Sequence, residues 1–150
     1  GSSVNELREF HQDFLDHLLL AAKESPRKRQ HYDLRDSPED TSQRMLNALL
    51  PGTEVPIHQH TETSETVICL RGKLEEILYE EVYEYVREAT SRTGEVVRKR
   101  TFREVSRQLL SPLEGMHGMR IPKGVWHTIE VIEPSVIFEA KDGAYVPRSS

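Results

Sequence analysis

Apolar positions change their spacing along this chain, and the change divides it. Near the N-terminus Leu7, Phe10, Phe14, Leu18 and Ala21 recur at three- and four-residue intervals, with Leu15 and Leu19 widening the stripe. That spacing gathers them on one face of a helix. Ser3 followed by Glu6 has the capping-box spacing that satisfies free N–H groups at a helix start. The helix, assigned to residues 1–24, needs a surface to cover, either a sheet or a dimer seam. From Lys23 to Ser42 the chain is polar and broken by Pro26 and Pro38, which reads as a connector with one short strand at 31–34.

Beyond it the pattern becomes that of short strands: 43–50, 65–71, 73–87, 95–109, 117–121, 127–132 and 136–141. Turn residues divide them, among them Pro51-Gly52, Arg71-Gly72, Thr93-Gly94, Pro122-Lys123-Gly124 and Glu133-Pro134, with Gly115 as a further break. Strands at this spacing predict a β-sandwich or barrel, here residues 25–150. The stretch from Tyr79 to Leu109 reads as a long hairpin, with Val82, Glu84 and Val86 on one face and Tyr83, Tyr85 and Arg87 on the other. Its Glu-rich part, 74–89, also suits a helix. A long exposed strand is an edge hazard, so pairing with a second copy is expected, giving a homodimer.

The 150 residues suffice for one compact domain. A formal charge of -5 argues against general affinity for nucleic acid, which requires a clustered basic surface. The basic runs Arg27-Lys28-Arg29 and Arg98-Lys99-Arg100 sit among acidic residues and read as solvated surface. No apolar run approaches the roughly 20 residues that span a bilayer, and no signal-peptide pattern is present, so no membrane partner is expected. Cys69 is the single cysteine and cannot form an intrachain disulfide, which fits a cytoplasmic location.

Chemistry concentrates between Gly52 and Gly72. His58 and His60 are two apart and share a face of an extended segment. A reversal at 61–64 would carry the Glu65 carboxylate beside them, and two imidazoles with a carboxylate suit a first-row divalent cation. Pro122-Lys123-Gly124-Val125-Trp126-His127 offers a tight turn and a fourth ligand, His127.

These two segments resemble the motifs of the cupin superfamily. Gly52, His58, His60, Glu65 and Gly72 match its first motif, G-x5-H-x-H-x4-E-x6-G, in full. Chance agreement at all five positions is on the order of one in ten thousand. Pro122, Gly124 and His127 match the second motif, although the leading glycine, Gly115, comes one residue early and Val131 stands where an asparagine is usual. Within cupins the chain is similar to the WbuC family, through Ser25-Pro26-Arg27, Gln43-Arg44, Leu50-Pro51-Gly52-Thr53, Ile121-Pro122, Trp126-His127-Thr128 and Phe138 through Tyr145. It departs from that family where Ile57 precedes His58 and Ala144 precedes Tyr145. The resemblance implies an all-β fold, the cupin double-stranded β-helix or jelly-roll barrel, with the N-terminal helix added. It also implies a role in surface-polysaccharide chemistry.

A divalent transition metal (Zn, Fe, Mn or Ni) on His58, His60, Glu65 and His127 would keep open positions for a small-molecule ligand. The chain then reads as a metalloenzyme acting on a sugar-like or oxygen-rich molecule by isomerisation, epimerisation or oxygenation. The alternative is a non-catalytic, metal-dependent ligand-binding or sensor cupin. Glu139 and Lys141, two apart on a strand, and Arg44 at the start of another are candidate substrate-binding residues. Tyr145 is a candidate lid residue, Trp126 should face away from His127, and Cys69 and Arg71 share parity with Glu65.

Overall fold

The computed structural model describes residues 7–87 and 92–144, so Ser3, Glu6 and Tyr145 lie outside the described residues. Helix α1 spans Gln12–Glu24 and begins after His11, whose side chain makes no capping hydrogen bond. Its buried face is Leu15, Leu18 and Ala22, flanked by Phe14 and Leu19. Leu7 and Phe10 precede the helix and are 78% and 42% exposed, so the stripe expected from Leu7 onward begins about two turns later, at Phe14. The helix covers the outer face of a sheet, packing on Leu46, Ala48 and Val136.

Six strands follow: β1 (Arg29–Asp33), β2 (Ser42–Leu49), β3 (Glu65–Arg87), β4 (Val96–Leu110), β5 (Gly118–Ile121) and β6 (Trp126–Asp142). All pairings between them are antiparallel. Strands β3 and β6 pair from Glu65↔Lys141 to Tyr79↔Trp126 and bend together on the way. Before the bend, β3 lies between β5 and the C-terminal half of β6, which in turn pairs β2 and then β1. After it, β3 lies between β4 and the N-terminal half of β6, to which His58 adds a bridge. Two layers result, joined by strands that cross from one to the other. Leu49, Val67, Leu74, Leu110, Ile121, Val131 and Ile137 fill the space between them.

Arg71-Gly72 and Glu133-Pro134, expected as turns, are therefore bends inside continuous strands. Register irregularities between Cys69 and Leu74 absorb the bend, as bulges do. Ser135 is fully buried at the corner; its hydroxyl accepts from the Lys73 N–H at 3.0 Å and lies 2.7 Å from the Glu133 carbonyl. Gly72 sits there at φ +98°, where a Cβ would run into the Pro134 carbonyl oxygen and the Ser135 hydroxyl. The stretch from 74 is strand through Arg87, because β4 pairs it along its length and β6 pairs it on the other side up to Tyr79, which outweighs the helical preference of glutamates.

Gly72→Ala should combine the left-handed strain with this clash and destabilise by about 2 kcal/mol or more. A fall in Tm of about 5 °C or more is expected in a thermal melt; an unchanged Tm would show that the corner relaxes freely.

Candidate metal centre

The two histidine-bearing segments are zipped together by backbone hydrogen bonds. His58 N–H donates to the His127 carbonyl at 3.0 Å, and His127 N–H donates back at 2.8 Å. Gly124, at φ +82° in the Pro122 turn, donates to the His60 carbonyl at 2.8 Å. The Thr128 hydroxyl reaches the Val55 carbonyl on the same path. Glu65 opens β3 between Ile121 and Lys141, so its carboxylate enters from the other layer.

One donor atom from each of His58, His60, Glu65 and His127 lies within 4.8 Å of all the others. Glu65 Oε2 is 2.9 Å from His60 Nε2 and 3.4 Å from His127 Nε2. Ligands about 2.1 Å from a common ion stand about 3.0 to 4.2 Å apart, depending on the angle between them. The two Glu65 distances match that spacing, while the 4.8 Å bound on the remaining pairs is somewhat wider than a closed shell around an ion. His58 Nδ1 lies 2.9 Å from the Pro56 carbonyl and His127 Nδ1 lies 3.0 Å from the Val125 carbonyl. A carbonyl only accepts, so each Nδ1 carries the proton and each neutral ring offers Nε2 as its ligating lone pair.

The buried polar atoms agree. His127 is 2% exposed, and among the described residues neither its Nε2 nor Glu65 Oε2 makes a hydrogen bond of good geometry. The approaches of Glu65 Oε2 to His60 Nε2 at 2.9 Å and to His127 Nε2 at 3.4 Å are close contacts without hydrogen-bond geometry. Burial works against ionising Glu65, but the approach of His127 and His60, with the charge of Lys141, holds its carboxyl well below the usual range. An anionic carboxylate facing three imidazoles and two orphaned donor atoms fits a divalent cation.

A cleft of about 900 Å³ opens above the cluster, reached by His60, Glu139 and Lys141. Beneath lies a chamber of about 20 Å³ that all four candidate ligands line. Arg29, Asn47, His60, Glu139 and Lys141 border both, making the chamber the floor of the cleft. Arg44 is not brought there. It shares strand parity with the helix-facing Leu46 and Ala48, and its guanidinium bonds the Asp40 carboxylate at 3.0 Å and the Ser42 carbonyl at 3.1 Å. Cys69 packs in the core, where burial pushes its thiol up to about 11. The irregularity after Cys69 turns Arg71 out to Asp16 of α1. Trp126 faces away from the cluster, against Phe102 and near the Arg100 guanidinium.

The basic runs are exposed as expected, except for the half-buried Arg29. Lys28, at φ +57°, sits between Arg27 and Arg29, and both arginines border the cleft. In the other run, Arg98 lies over the Tyr83 ring at 3.6 Å. Sequence reasoning missed Glu76 and Asn47. Glu76 is 1% exposed on the chamber wall, and burial, with the charges of Glu65 and Glu139, raises its carboxyl well above the usual range. Strand parity with Leu74 could have marked it, given the Gly72 corner.

The family described as Domain of unknown function (DUF6016) matches residues 10–91, more than half of the chain, and the chain belongs to it. The matched stretch holds His58, His60, Glu65 and Glu76, whereas His127 lies beyond it. No curated protein matches the sequence. Among solved structures the chain is similar to an oxalate oxidase in complex with the substrate analogue glycolate, with a TM-score of 0.52 and 11% identity over 83% of this chain and 56% of that one. A cupin 2 domain-containing protein from Halorhodospira halophila gives a TM-score of 0.52 and 15% identity over 81% of this chain and 68% of that one. The Lactobacillus farciminis oxalate decarboxylase gives 0.50 and 13% over 81% and 31%. The chain thus spans little more than half the length of the oxalate oxidase. These likenesses establish the fold, a cupin jelly-roll barrel with an N-terminal helix.

The raised carboxyl of Glu76 has a consequence for stability. Its folded form keeps the proton while the unfolded form releases it above about pH 4.5, so the stability it contributes is present in acid and lost as pH rises. Glu76→Gln keeps the shape without that proton. The metal-free variant should therefore melt above the parent at about pH 7, with the gap closing toward about pH 5. A parent that melts higher at neutral pH would contradict the assignment.

Proposed function

We propose that this chain is a metal-dependent cupin of the WbuC type, holding a divalent transition metal on His58, His60, Glu65 and His127 and acting on a small, oxygen-rich anion or sugar-like molecule. The observation that carries the metal is the quartet, buried except for the half-buried His60, whose Glu65 Oε2 and His127 Nε2 find no hydrogen bond among the described residues. Three neutral imidazoles and one carboxylate leave a net charge near +1. An ion held there supplies Lewis acidity toward a carbonyl or enolate oxygen. The ligand set suits Mn, Fe, Zn or Ni, and availability decides among them.

The protein's own side chains do the rest. Arg29 and Lys141 give the floor of the cleft positive charge that would draw an anion and orient it toward the cluster. Glu139, beside Lys141, can accept a hydrogen bond from a ligand hydroxyl. Leu49, Val55 and Ile129 close the chamber with apolar wall, which lowers the local dielectric. The place of this chemistry in surface-polysaccharide metabolism is carried by the WbuC resemblance.

Elemental analysis of protein dialysed against each metal tests this reading. About one equivalent should be retained, and a His58→Ala, His127→Ala double variant should retain none. Metal at a hundredfold excess over its Kd should stabilise the fold by about 2.7 kcal/mol. Parent protein that emerges metal-free from all four dialyses would sink the proposal.

A further inference from the structure

We propose that Arg29 is the anion-recognition residue of the cleft, and that the bound molecule is an anionic sugar whose carboxylate or phosphate seats on the Arg29 guanidinium. This rests on the reading of the cleft as the ligand site and names the chemistry of the ligand. Arg29 opens β1 opposite Leu49, a residue of the inner core, so its side chain points into the barrel. It is half-buried and borders both the chamber of the four candidate ligands and the cleft above them. Its mount is fixed by the neighbouring turn. The Thr53 hydroxyl donates to the Arg27 carbonyl at 2.7 Å, and the Leu50 N–H donates to the Lys28 carbonyl at 3.0 Å. A guanidinium held this way is in place before a ligand arrives.

The cations around it are committed elsewhere. Arg35, also on the cleft, is held by the Asp33 carboxylate at 2.8 Å. Lys141 stands opposite Glu65 across the β3–β6 ladder, and its charge acts on that carboxylate. Among the described residues no hydrogen bond or ion pair holds the Arg29 guanidinium. Its planar fork is matched by the paired oxygens of a carboxylate or phosphate and not by a lone hydroxyl. Glu62, Glu139 and Asp142 border the same cleft, which confines the negative charge of a ligand to the Arg29 end. Asn47, Gln59 and Thr61 supply amide and hydroxyl groups that suit the hydroxyls of a sugar. At about 900 Å³ the cleft holds a molecule of monosaccharide size or larger, so the ligand needs no room in the chamber of the ion.

Glucose, glucuronate and glucose 6-phosphate share one ring, differ at one carbon and serve as matched probes. Each is titrated calorimetrically into the intact chain, whose metal content is measured first. At least one of the two anionic sugars should bind about tenfold tighter than glucose or better, as a charge-assisted pair on a guanidinium requires. Which of them does so identifies the anion as carboxylate or phosphate. Arg29→Met should bring that sugar down to the affinity of glucose with the metal content unchanged. Arg29→Lys, which keeps the charge without the fork, should recover part of the difference. Anionic sugars that bind no better than glucose, or a preference that survives in Arg29→Met, overturn the inference and leave the metal centre standing. Loss of metal in Arg29→Met overturns it by making Arg29 a support of the ion site. Parent protein that takes no metal sinks the metal reading alone, and the same three titrations on the metal-free chain then decide the role of Arg29.

Discussion

The structure depends on one constraint: β3 and β6 stay paired while both turn the same corner. Because the ladder runs from Glu65↔Lys141 through the bend to Tyr79↔Trp126, it fixes in one register which residues face the interior of both layers. Before the bend it presents Glu65, Glu139 and Lys141, and after it Glu76 and His127. A slip of one residue would turn every one of these side chains to the opposite face. Gly72 and the buried Ser135 hydroxyl make the corner possible, the glycine by lacking a Cβ and the serine by bonding backbone groups that the bend leaves over.

Around that frame the interior is sorted by polarity. One end is apolar, from Leu49 and Ile137 to Leu74 and Leu110. The other holds three imidazoles and several carboxyl and cationic groups around a chamber too small for more than one water. Such a concentration of buried polar atoms opposes folding unless an ion of opposite charge satisfies it. The backbone carbonyls of Pro56 and Val125 accept from Nδ1 of His58 and His127 and so leave each Nε2 as the lone-pair nitrogen.

The candidate quartet was legible in the sequence because histidines are scarce and their spacing is rigid. The barrel was legible because its strands are short and punctuated. What escaped has physical reasons. Gly72 and Pro134 carry the chemistry of turns, and only a partner strand bending alongside shows that they lie inside strands. Glu76 stands in a run with Glu75, Glu80, Glu81 and Glu84, where nothing local separates the one buried carboxylate from its solvated neighbours. Arg44 looked like an anion-binding residue by type, yet β2 alternates between helix and cavity and places it in phase with Leu46 and Ala48. Arg27 and Lys28 are exposed, as their run suggested, and Arg29 is the half-buried member that reaches the chamber.

The central claim is that these four residues form one coordination shell, and anomalous diffraction from a crystal of the Mn-loaded protein tests it most directly. The account predicts a single strong peak about 2.0 to 2.3 Å from Nε2 of His58, His60 and His127 and from a carboxylate oxygen of Glu65. A peak elsewhere on the protein, ligation through Nδ1 of His58 or His127, or no peak between the two layers would contradict it.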